Sequence, residues 1–64
     1  MIKVNQKGFD VTVTYIDEME QEHIASVFCK DVEAARDLKK EVNEAVKEGY
    51  GFAKCRAILE GDSL

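Results

Sequence analysis

The segment Asp31–Gly49, DVEAARDLKKEVNEAVKEG, decides how the rest of this chain is read. At about 100° per residue, Ala34, Ala35, Leu38, Val42, Ala45 and Val46 fall within an arc of roughly 120°, the width of a core-facing stripe. Val32 sits at the edge of that arc. Asp31 suits an N-cap, since its side chain accepts from the free N–H groups of a first helical turn. Glu33 adds negative charge where the helix dipole is positive. Gly49 suits the left-handed position after a helix end, with Tyr50 folding back as the apolar residue behind it. The spacing therefore predicts a helix over about 32–48. Three alanines make its buried face thin, so bulky core side chains must come from whatever packs against it.

Working outward, Phe9, Val11, Val13 and Tyr15 alternate strictly with Asp10, Thr12 and Thr14, which predicts a strand over 9–16. Ile2 and Val4 carry the opposite parity. A bulge at Gly8 joining one long strand would account for the switch; otherwise 2–4 form a separate short piece. The polar run Asp17–Glu22 reads as a hairpin loop, and it lacks the glycine of a two-residue primed turn. HIASVFCK predicts a second strand over 23–30, and FAKCRAILE a third over 52–60. The last residues, 61–64, read as a loose tail.

The implied architecture is a single α+β domain over 1–64, of order ββαβ. It has a three-stranded, mostly antiparallel sheet in order 2-1-3, with the strand at 9–16 central and one helix packed on one face. A right-handed crossover fits that order. Order 1-2-3 with a parallel pair is less favourable, because a sheet with one exposed face is usually antiparallel.

Sixty-four residues bury little surface, so the core is marginal without a disulfide scaffold, a metal or a partner chain. Two cysteines make no scaffold. The net charge of −4 argues against direct nucleic-acid binding, which relies on Lys and Arg to displace counterions. It argues equally against adhesion to anionic membranes. MIKVNQKGFD has no apolar signal-peptide core, and no apolar run approaches the ~18 residues of a span. A reducing, cytoplasmic setting with both cysteines as thiols is the default expectation.

No motif for catalysis, cofactor binding or metal binding emerges, and we expect none of these. Cys29 and Cys55 read as small core hydrophobes. Asp17, Glu18, Glu20, Glu22 and His23 form a dense acidic loop, but without calcium-loop spacing. His23 has no nucleophile to serve. A reserve reading is an enzyme built at a subunit interface, where Tyr15, His23 or a cysteine could converge from two chains. The glycines of Gly49-Tyr50-Gly51 follow a helix instead of preceding one, unlike a phosphate loop. Asp62-Ser63-Leu64 has the outline of a PDZ-type ligand, a three-residue match that arises often by chance.

The strongest functional signal is apolar surface left over once the helix covers one sheet face. Ile16, Ile24, Phe28, Phe52 and Ile58 are expected on the open face, where such a patch marks an interaction site. The expectation is a non-enzymatic interaction module, homodimeric, binding itself or another protein through that face or an edge strand. The alternative is an acidic decoy for a nucleic-acid-binding protein. It would use Asp17, Glu18, Glu20 and Glu22 with the helix flank of Glu33, Asp37, Glu41, Glu44 and Glu48.

Overall fold

The computed structural model describes residues 1–61; Asp62, Ser63 and Leu64, and with them the PDZ-type outline and most of the expected tail, lie outside the described residues. The chain order is β1 (Ile2–Lys7), β2 (Asp10–Ile16), β3 (Glu22–Phe28), α1 (Val32–Lys47) and α2 (Phe52–Leu59). The strands form an antiparallel meander in order β1-β2-β3. The fold is α+β, but the expected order 2-1-3 and the single helix are corrected. The strand from Asp10 is central, yet its second neighbour is β1 and not residues 52–60.

That neighbour follows from the turn at Gly8. Lys7 pairs with Asp10, leaving a two-residue loop of Gly8 and Phe9. Gly8 has φ 62° while Phe9 does not have positive φ, the pattern of a type II′ hairpin turn. No bulge is needed. A two-residue hairpin necessarily pairs even with odd positions, so Ile2 and Val4 share a face with Val11, Val13 and Tyr15.

The second correction is 52–60, which is helix α2 and not a strand. Its buried residues are Cys55 and Leu59, one helical turn apart, with Phe52 and Ile58 partly buried beside them. Ala, Lys, Arg and Leu dominate the segment and favour helix, while Ile58 is its one β-branched residue.

α1 behaves as its sequence requires. Asp31 Oδ1 accepts from the Ala34 N–H at 2.7 Å. At the far end the Gly49 N–H donates to Val46 O and the Tyr50 N–H to Ala45 O, with Gly49 at φ 89°, a Schellman cap. α1 packs on β1 and β2, and α2 packs on β2, β3 and α1. The core is therefore Val11 and Val13 from the central strand, Ala35, Val42 and Ala45 from α1, and Cys55 and Leu59 from α2. Two helices share one sheet face, and α2 brings Leu59, Phe52 and Ile58 to the core that the alanine-rich face of α1 leaves to be filled.

Candidate functional site: the free edge of β3

Register and alternation divide the sheet into two faces. Under the helices lie Ile2, Val4 and Gln6 of β1, Val11, Val13 and Tyr15 of β2, and Ala25 and Val27 of β3. The outer face carries Lys3, Asn5 and Lys7, then Asp10, Thr12, Thr14 and Ile16, then Glu22, Ile24, Ser26 and Phe28. Its first two strands are largely polar. Its apolar surface lies mainly on the third, where Phe28 is 75% exposed and Ile24 60%, joined by Ile16 at the end of β2, beside Glu22, at 48%. Phe9 leans on Phe28 with ring centroids 5.6 Å apart.

Of the five residues expected on the open face, Ile16, Ile24 and Phe28 are there. Phe52 and Ile58 are not: with 52–60 helical, both pack against the core from α2. The open surface is thus an apolar edge more than an apolar face.

β3 ends the sheet, and its backbone polarity can be assigned. The Cys29 N–H donates to Phe9 O at 2.7 Å, and Asp17 N–H donates to Gln21 O at 3.1 Å. Odd-numbered residues of this strand therefore point their peptide groups at β2. By alternation, Glu22, Ile24, Ser26 and Phe28 point theirs at the free edge. The two sheet edges differ. β1 carries Lys3 and Lys7, charges that blunt an edge against pairing. Between Ile24 and Phe28, β3 carries no charged residue at all.

At the other end of β3 the acidic loop is built around Asp17. Its carboxylate accepts from the Met19 and Gln21 N–H groups and from His23 Nε2, each at 2.9 Å. The His23 hydrogen bond, helped by the Gln21 amide, lowers the Asp17 pKa. His23 stacks on Tyr15 at 5.7 Å, and Phe52 lies 5.9 Å from both rings, closing the end of the core. Sequence reading noticed the carboxylates and the histidine, but missed this ring cluster because it placed Phe52 on a strand. Asp17 is thus engaged in the turn. Glu18, Glu20 and Glu22 remain exposed, as do Asp37, Glu41 and Glu44 on α1 and Glu48 at its C-cap. Glu44 shares an open groove with Arg36, Lys39, Lys40 and Lys47, so the helix flank is of mixed charge.

Among the described residues no group of His, Cys, Asp and Glu could hold a metal ion, and no helix is long and apolar enough to cross a membrane. Cys29 and Cys55 are both free thiols, Cys55 buried in α2 and Cys29 partly exposed after β3. Comparisons with family models, with curated proteins and with solved structures found no match.

Proposed function

We propose that this chain is a non-enzymatic protein-interaction module that takes up an extended strand at the free edge of β3. The observation that carries the reading is the coincidence, on one strand, of outward peptide groups and exposed Ile24 and Phe28. In strand addition the main-chain ladder provides affinity, and alternate side chains provide selectivity. Ile24 and Phe28 are the apolar anchors, with Phe9 supporting Phe28 from the β1–β2 turn. The lysines of β1 direct pairing to the opposite edge.

Ser26→Pro tests the mechanism. Its N–H points outward, so proline removes an edge donor while leaving the β2 ladder intact. We expect the far-UV circular dichroism of the chain to persist. Association, with itself by sedimentation or with an identified partner, should fall by at least about tenfold, as should that of Phe28→Ala, the range of a central anchor. Association that survives Ser26→Pro, Ile24→Ala and Phe28→Ala alike would overturn the reading.

The acidic-decoy reading draws on the net charge and on exposed Glu18, Glu20 and Glu22. It has less support, since Asp17 is committed to its turn and the α1 flank is interleaved with lysines. Steep loss of binding with added salt, indifferent to Phe28, is the behaviour it requires.

A further inference from the structure

We infer that the strand taken up by the β3 edge is β3 of a second copy of this chain, paired antiparallel about a two-fold axis at Ser26. The inference rests on the strand-addition reading and adds the occupant and its register. Two identical strands can form a ladder only if facing residues both direct peptide groups across the junction. On β3 those are the even-numbered residues, so the axis must pass through a residue and not between two. Centring on Ser26 sets Ile24 against Phe28 of the partner copy, and Phe28 against the partner copy's Ile24. It also sets Glu22 against the partner copy's Lys30, two residues beyond the strand, and Lys30 against the partner copy's Glu22.

The outer face of β3 reads Glu22, Ile24, Ser26, Phe28, and the next even position, Lys30, follows at the bend just beyond the strand. Read against its own reverse about Ser26, this series puts acid opposite base, apolar opposite apolar, and hydroxyl opposite hydroxyl. Cross-strand pairs of these kinds are the favourable ones in antiparallel sheets. Neighbouring registers lose the match. Centring on Ala25 sets Glu22 against Phe28 and Ile24 against Ser26; centring on Val27 sets Ile24 against Lys30. On the helix side the Ser26 register places Ala25 against Val27, two small side chains that let the strands meet. Each facing even pair exchanges two N–H···O bonds, about six across the strand proper. The product is a continuous six-stranded antiparallel sheet with all four helices on one side.

Crosslinking and charge exchange test this register. A bonded antiparallel pair has Cα atoms about 5.5 Å apart, within disulfide reach. Ser26→Cys should therefore give a covalent dimer under mild oxidation, while the parent chain with its own two cysteines does not. Ile24→Cys and Phe28→Cys should each stay uncrosslinked alone and crosslink when mixed. Glu22→Lys and Lys30→Glu should each weaken the dimer by about 3- to 10-fold, since each puts like charges together twice. The double exchange should restore it, which no binding to an unrelated partner predicts. A chain that sediments as a monomer at high micromolar concentration, with Ser26→Cys uncrosslinked, overturns self-pairing alone and leaves strand addition standing. A dimer that tolerates Ser26→Pro and both single charge changes overturns the register and the edge reading together.

Discussion

Asp17 shows how one side chain sets a loop. Its carboxylate gathers two amides and His23, and the resulting fall in its pKa has a definite sign. Folding favours the ionised form, so the contribution is complete above the ordinary carboxylate value near 3.8 and is lost as pH falls through the lower folded value. Melting temperatures of the parent chain and Asp17→Asn should differ at pH 7 and converge toward pH 2; a gap that widens in acid would contradict the assignment. Glu20 in the same loop has φ 61° without being glycine. That conformation costs a side-chain-bearing residue about 1 kcal/mol. Glu20→Gly should raise unfolding free energy by roughly 0.5 kcal/mol, the strain relieved being partly offset by unfolded-chain entropy; denaturant titration reads it directly.

The two helices were not equally legible. α1 announced itself through agreement of stripe, N-cap and C-terminal glycine, and each of those local signals is satisfied in the structure. α2 has eight residues and no capping side chain, with Gly51 at its N-cap. Its apolar residues, Phe52, Ala53, Cys55, Ala57, Ile58 and Leu59, fit period 2 and period 3.6 about equally over so short a run. Propensity separates the two readings, and Ala57 is where to measure it. Ala57→Gly should destabilise by about 1 kcal/mol and Ala57→Val by a few tenths, the order a helix demands; stabilisation by valine would indicate a strand. The sheet shows the same limit. The parity switch at Gly8 was plain in the residues, but a bulge and a two-residue turn produce the same switch, and only pairing distinguishes them. Ile24 and Phe28 were legible as surface because they alternate with a partly buried set, Ala25 and Val27. Phe52 and Ile58 were misplaced because their element was.

For the whole molecule, the helices close one side of the sheet, and the proposed recognition surface is the rim of the other side. The thiols report on that closure. Cys55 is buried, and burial raises its pKa, disfavouring the reactive thiolate. In dilute solution Cys29 should react with a disulfide reagent within seconds to minutes, and Cys55 only as fast as the core opens. Equal rates would mean that α2 is not docked.

On the proposed pairing, the unlike edges of the sheet would also govern growth. If each chain offers one permissive edge and one guarded by Lys3 and Lys7, pairing consumes both permissive edges at once. The two ends of the enlarged sheet are then lysine-bearing rims that repel further strands. On that pairing assembly would stop at two copies, with Lys3 and Lys7 of β1 holding a chain whose exposed strand is apolar to a finite particle instead of a fibril.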